Sequence, residues 1–245
     1  MRPELEALVI EAGKATLAHY RQQLEVAHKA DGSPLSAADR ASHDVLVAGL
    51  SALSPALPIL SEEGRHHGWQ ERRRWRRFWL LDPLDGTKEF LAGRDDFTVN
   101  LALIEDGVPV LGLVYAPVHD RLYVGEQGQG AWRVDKGVRR AIHCRKVEPP
   151  VVVGSRSHPA PELADWLAEL GEHEMVSVGS SLKFCLVAEG KAQYYPRFNP
   201  TMMWDTAAGQ AVAEAAGARV SCLDGSPLRY HREALRNPGF MVSCS

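Results

Sequence analysis

Trp79-Leu80-Leu81-Asp82-Pro83-Leu84-Asp85-Gly86-Thr87-Lys88-Glu89-Phe90 is the stretch whose reading decides the fold. Phe78 to Leu81 is a short apolar run suited to a buried strand, and Asp82-Pro83 is expected to stop it, because proline brings no amide to a ladder. Two carboxylates, Asp82 and Asp85, then stand three residues apart at the strand's mouth. A bend stiffened by Pro83 can hold the Leu84 carbonyl inward between them as a third oxygen, and hard cations such as Mg²⁺ take such ligands. Gly86 lets the backbone come close to a ligand. A helix opening at Thr87-Lys88-Glu89-Phe90 would leave the amides of Gly86 and Thr87 free for an anion. The same residues also spell a strand followed by an Asp-Pro-x-Asp-Gly turn, in which the acids merely bond the backbone. This segment alone leaves both readings open.

Upstream, Pro58-Ile59-Leu60 reads as a short strand ending at Ser61-Glu62-Glu63, which repeats the placing of acids at a strand end. Neighbouring side chains of an extended chain point opposite ways, so only one of Glu62 and Glu63 faces a given metal. By itself the pair reads as solvent-facing. Glu71 to Arg77, ERRRWRR, is the most basic segment. Interleaved arginine and tryptophan can stack on nucleic acid or pair with anionic lipid, but the net charge of −3 favours a solvated helical turn or loop leading into Phe78. From Pro3 to about His28, Leu5, Leu8, Val9, Ala12 and Leu17 recur at helical spacing, predicting an amphipathic packing helix. Asp31-Gly32-Ser33-Pro34 reads as a loop. Ser36-Ala37-Ala38-Asp39 resembles a capping box with Asp in place of Glu, opening a helix that carries Leu46, Leu50 and Leu53 inward. Asp39 is then a structural cap, or a group that orients or deprotonates a water if the fold brings it near Thr87.

Downstream, Phe97–Ile104 and Val108–Tyr115 are β-rich runs joined by Glu105-Asp106-Gly107, a hairpin. Arg121–Val124 and Ala131–Val134 flank a glycine run at 125–130, which leads to a strand rather than a helix and so is a turn, not a dinucleotide fingerprint. The first half therefore predicts two helices with an antiparallel sheet. The second half alternates: strand Val151–Val153, helix Pro161–Leu170, strand Met175–Val178, helix Leu182–Ala188, strand Ala192–Tyr195, and an alanine-rich helix Trp204–Ala216 ending at Gly217. This pattern suggests an α/β layer, with a subdomain boundary near Glu148-Pro149-Pro150 that divides 1–148 from 149–245. Asp205, in the first turn of the last helix, either complements the helix dipole or closes a metal site.

The chain has 245 residues, 45% of them hydrophobic, enough for one large domain or two small ones. Its charge offers no general attraction to nucleic acid or an acidic membrane, so an anionic ligand must be drawn by a local site. No stretch has the length of a transmembrane helix, and MRPELEALVIEAGKA carries acids where a signal peptide needs an apolar core. Cys144, Cys185, Cys222 and Cys244 have no CxxC spacing and read as reduced thiols. An intracellular protein is expected.

Glu62-Glu63, DPLDGT at 82–87 and Trp204-Asp205 appear in the order and spacing of the lithium-sensitive, Mg²⁺-dependent phosphatases of the inositol monophosphatase superfamily, which the chain resembles over almost its whole length. DPLDGTKEF, SRSH, GSSLKFCLVAEG and YPRF are similar to its bacterial bisphosphate-nucleotidase branch. The resemblance implies an α+β or layered αβαβα sandwich, with an N-terminal metal and phosphate subdomain and a smaller C-terminal α/β substrate subdomain. It implies Mg²⁺, roughly two or three ions per site, held by Glu62, Asp82, Asp85, Asp205 and the Leu84 carbonyl, so that Glu62 is preferred to Glu63. Asp39 and Thr87, with Glu62, match the groups that act on the attacking water. Gly86 and Thr87 amides match the phosphate cradle, and Lys88, His158, Ser180, Ser181, Lys183, Arg197 and Asp205 match substrate contacts.

The implied reaction is removal of the 3′-phosphate of adenosine 3′,5′-bisphosphate, with its sulfated form as a second substrate. Lys183 and Arg197 would pair with the second phosphate, a contact an inositol monophosphate cannot make. No phosphoenzyme is expected, since the aspartates are committed as ligands. The nearest rival is an inositol or sugar monophosphatase with the same metal core, against which stand Lys88 and the Ser-Ser-Leu-Lys stretch. A non-catalytic nucleotide- or RNA-binding module using Arg72 to Arg77 is the alternative of another class, and a binder has no need to gather acids around a phosphate. No nucleic-acid partner is expected. The expected protein is a cytoplasmic monomer or homodimer, with at most peripheral association on the inner membrane's cytoplasmic face.

Overall fold

The computed structural model describes residues 2–20, 37–53, 55–155 and 160–244, and the backbone of 27–28 and 34–35. In chain order the elements are α1 (Arg2–Leu17), β1 (Ala27–His28), β2 (Pro34–Leu35), α2 (Ala37–Ser51), β3 (Ile59–Ser61), α3 (Trp69–Arg72), β4 (Arg77–Asp85), α4 (Thr87–Leu91), β5 (Thr98–Glu105), β6 (Val108–Ala116), β7 (Arg121–Glu126), β8 (Gly130–Asp135) and β9 (Val138–Ile142). There follow β10 (Val151–Ser155), α5 (Glu162–Leu170), β11 (Glu174–Val178), α6 (Leu182–Ala188), β12 (Tyr194–Arg197), α7 (Met203–Ala215), β13 (Ala218–Cys222) and β14 (Phe240–Cys244).

Helices α1 and α2 bury Leu5, Val9, Leu46 and Leu50 against one face of a seven-stranded sheet, where they meet Trp79, Leu81, Leu101 and Leu113. That sheet runs β3-β4-β5-β6-β7-β8-β9. Its opposite face, with Leu80, Ala102, Val114 and Tyr123, shares a second core with α6, α7 and a five-stranded sheet of order β11-β10-β12-β14-β13. The outermost helix, α5, meets that sheet where Trp166 stands edge-on to Tyr194. Helix, sheet, helix, sheet, helix is the expected layered sandwich. The alanine-rich α7 lies against the large sheet because glycines make room for it. A Cβ on Gly112 would sit 2.2 Å from the Ala208 carbonyl oxygen, and one on Gly125 would sit 2.4 Å from Val212 Cα.

Several elements depart from expectation. The first helix ends at Leu17, and Ala27–His28 pairs antiparallel with Pro34–Leu35 instead of extending it. The expected capping residue Ser36 and the loop at 31–33 lie outside the described residues. β4 does not stop at Asp82 but runs to Asp85, its register shifting between these two residues. Proline is tolerated in a strand at such an irregularity, where no ladder bond is asked of it. The large sheet is not wholly antiparallel: β3 runs parallel to β4, with Ser61 beside Leu81. The basic segment is only partly solvated. Arg72 is buried and donates from Nε to the His67 carbonyl at 2.9 Å and from its terminal nitrogens to the carbonyls of Arg232 at 3.2 Å and Glu233 at 2.6 Å. β12 begins two residues later than the expected Ala192. Strands β9, β13 and β14 had no sequence counterpart.

Candidate active site

The parallel pairing of β3 with β4 builds the first part of the site. Ser61 lies beside Leu81, so the next residue of each strand is an acid, and Glu62 N–H donates to the Leu81 carbonyl at 3.3 Å. Asp205 arrives from α7, where its Oδ2 accepts the Met202 amide at 2.8 Å as part of a cap. One ligand atom from each of Glu62, Asp82 and Asp205 lies within 4.8 Å of the other two. Asp205 therefore caps α7 through the Met202 amide and stands in the acid cluster at once.

The β4 bulge shapes the rest. Leu84 N–H donates to Asp82 Oδ1 at 3.1 Å, and the Leu84 carbonyl accepts from Thr87 Oγ1 at 3.3 Å. The Ser42 hydroxyl donates to the Pro83 carbonyl at 2.7 Å, tying α2 to the bend. Gly86 takes φ +92°, a left-handed value that glycine adopts without strain, and α4 begins at Thr87. Asp39, in the first turn of α2, is 1% exposed, and its charge reaches Asp82. Asp85 lies beside the acid cluster, its Oδ2 accepting the Ser181 amide at 2.6 Å and Asn100 Nδ2 at 3.3 Å.

A cavity of about 210 Å³ is lined by Glu62, Asp85 and Asp205 and also by Ser180, Ser181, Lys183 and Arg197. Lys88 lines it from an exposed position. Lys183 is 5% exposed; its ammonium donates to the Ser180 carbonyl and, at 3.4 Å, to that of Val178, and it lies 5.5 Å from the Tyr195 ring centroid. The lysine thus secures the bend where Ser180 takes φ +49°, besides bringing charge to the cavity. Arg197 is also buried, its Nε bonded to the Asn199 carbonyl at 3.0 Å. His158 lies outside the described residues. Asn100 and Thr98, which bear on Asp85, were missed by the sequence reading; the available signal was a lone asparagine inside the apolar run of β5.

Burial raises Asp82 well above the usual carboxylate range, and the charges of Glu62, Asp85, Asp205 and Asp39 push it further. Asp205 is raised by burial, then by Asp85 and Glu62. Asp85 is pushed up to about 6 by burial, against the restraining pull of Lys183 and the Ser181 amide. Burial lowers Lys183 to about 8, with Asp85 opposing. The donor set is oxygen only, crowded and desolvated, and its negative charge is relieved by a proton or a hard cation. Mg²⁺ fits this chemistry.

The profile of the inositol monophosphatase family matches residues 1–242. The chain is 54% identical over 235 residues to the 3′(2′),5′-bisphosphate nucleotidase CysQ of Escherichia coli (strain K12), covering 95% of each chain. To CysQ of Haemophilus influenzae it is 32% identical over 240 residues, which is 96% of this chain and 89% of the relative. Among solved structures, CysQ from Bacteroides thetaiotaomicron is similar with a TM-score of 0.86 and 42% identity, over 97% of this chain and 94% of that one. An IMPase of Thermotoga maritima shares the fold at a TM-score of 0.80 and 23% identity, over 97% and 89%.

Proposed function

The chain belongs to the inositol monophosphatase family, and from that premise we propose that it is a Mg²⁺-dependent 3′(2′),5′-bisphosphate nucleotidase. Its substrate is adenosine 3′,5′-bisphosphate, whose 3′-phosphate it hydrolyses to give AMP and inorganic phosphate, and the sulfated nucleotide is a second substrate. The observation that carries this reading is that one cavity is lined both by acids of the oxygen-only cluster, Glu62 and Asp205, and by two buried cations, Lys183 and Arg197. A monophosphatase needs the acids alone. All four cysteines are free thiols, which suits a cytoplasmic enzyme. Among the described residues, no helix is long and apolar enough to cross a membrane.

In this reading Glu62, Asp82, Asp85, Asp205 and the Leu84 carbonyl hold the metal. When bound, Mg²⁺ supplies Lewis-acid stabilisation of charge on the phosphoryl and leaving oxygens. Gly86 and Thr87 amides cradle the scissile phosphate. Thr87 would orient the attacking water by accepting a hydrogen bond from it, and Asp39 is the carboxylate that would take up its proton. Lys183 is largely protonated at neutral pH and, with Arg197, draws the second phosphate, a charge-assisted contact that fixes the nucleotide's orientation. Positioning of this kind raises the rate by holding reactants in line. The test is kcat/KM on adenosine 3′,5′-bisphosphate against inositol 1-phosphate, with Mg²⁺ and with EDTA. A marked preference for the nucleotide, abolished by EDTA, is expected; equal or reversed preference makes the protein a monophosphatase instead.

A further inference from the structure

Thr98 and Asn100 lie on β5, and Ser181 stands at the head of α6; their exposures are 0%, 1% and 2%. They form one chain of hydrogen bonds. Thr98 Oγ1 and Ser181 Oγ lie 2.9 Å apart, Ser181 Oγ donates to Asn100 Oδ1 at 2.7 Å, and Asn100 Nδ2 donates to Asp85 Oδ2 at 3.3 Å. The Ser181 amide reaches the same carboxylate oxygen at 2.6 Å.

The direction of this chain is determined by counting protons. A hydroxyl has one to give. Ser181 spends its own on Asn100, so Thr98 must donate to Ser181. Asn100 is thereby held with its carbonyl toward Ser181 and its NH₂ toward the carboxylate; a flipped amide would set oxygen against oxygen at Asp85. Each donor polarises the next, and the series ends on an ionisable oxygen. Asp85 Oδ2 is filled by two protein donors, which leaves Oδ1 as the oxygen available to the cavity.

We infer that Asn100, oriented by Thr98 and Ser181, is a positioning residue for the metal site: it turns Asp85 so that one oxygen faces the cavity, and it ties that carboxylate to both β5 and α6. This deepens the proposed metal role of Asp85 and rests on it. Loss of a support of this type lowers metal affinity or activity.

Mn²⁺ serves as the probe, its free fraction read by electron paramagnetic resonance on the full-length protein, beside the Mg²⁺ concentration giving half-maximal activity. Asn100→Leu, close in volume but without donor or acceptor, is expected to weaken Mn²⁺ binding roughly 10- to 100-fold. Thr98→Val should weaken it in the same direction, and Thr98→Ser, which keeps the hydroxyl, should restore it. Native affinity in Asn100→Leu overturns the inference. Should that variant fail to fold, the Thr98 pair decides, and equal affinities for Val and Ser overturn it. If the native protein itself binds no Mn²⁺, the metal role of Asp85 falls first and this inference falls with it.

Discussion

Asp85→Asn should stabilise the metal-free protein while abolishing its response to Mg²⁺. Burial raises Asp85 from its ordinary 3.8 to about 6, and that value already includes the attraction of Lys183 and both hydrogen bonds. A rise of about two units makes the folded chain carry an ionised Asp85 at a cost of about 3 kcal/mol near neutrality. Both protein donors point at one oxygen, Oδ2, so an asparagine with its carbonyl placed there keeps both while shedding the charge. Because the folded-state pKa lies above the unfolded one, the native protein should lose stability as pH rises from about 4 to about 6, with the full cost present above that window. For a chain of this size, about 3 kcal/mol corresponds to roughly 6 to 12 °C in Tm. The assay is thermal unfolding of EDTA-treated native and variant protein. Without metal the variant should melt higher at about pH 7.5, with the gap reduced to roughly half at about pH 5. Millimolar Mg²⁺ should then raise the native Tm and leave the variant nearly unmoved. A variant no more stable than native protein at the higher pH, or one responding equally to Mg²⁺, refutes the reasoning.

Lys183→Met should lower kcat/KM on adenosine 3′,5′-bisphosphate far more than on inositol 1-phosphate, read by phosphate release. In the native enzyme, KM for the bisphosphate should climb as pH passes about 8, where Lys183 loses its proton; a flat profile argues against its contact with the second phosphate. Li⁺, a small hard cation suited to oxygen ligands, should inhibit at submillimolar to millimolar levels while K⁺ at the same concentration does not, as steady-state rates will show. Arg72→Met leaves the carbonyls of His67, Arg232 and Glu233 without their donor and should cost about 3 kcal/mol in urea unfolding, with little change in kcat.

The candidate site was legible in sequence where its residues are local. Asp82, Leu84, Asp85, Gly86 and Thr87 sit on one short stretch whose spacing already shows acids, bend and amides. Glu62 was less legible, because an extended chain distributes Glu62 and Glu63 to opposite sides without saying which side is inward. The pairing of Ser61 with Leu81 brings residue 62 alongside Asp82. Reading Pro83 as a strand end failed because a strand can tolerate proline at a register shift. The Arg72 reading failed for a different reason: two of its three partners lie 160 and 161 residues away, and no local pattern announces carbonyls that need a donor. Strand β14 alternates in burial, with Phe240, Val242 and Cys244 inward, but the sequence hides this because Met241, which is not fully buried, is as apolar as its neighbours.

Sequence by itself showed the chemical type of the candidate site, grouped oxygen donors of the kind a hard cation takes and a glycine bend of the kind a phosphate takes, and, through several motifs in order, the resemblance to a family that combines them. Those features depend on residue identity and near spacing, which a linear string retains. Only the tertiary structure decided how the site closes. Gly112 and Gly125 admit α7 closely enough to deliver Asp205, parallel pairing places Glu62 beside Asp82, and Thr98, Asn100 and Ser181 meet at Asp85. The physical reason is that desolvation and hydrogen-bond direction depend on what surrounds a group in space, and residues 82, 85 and 205 acquire their strained charge only when the sheets and helices bury them together.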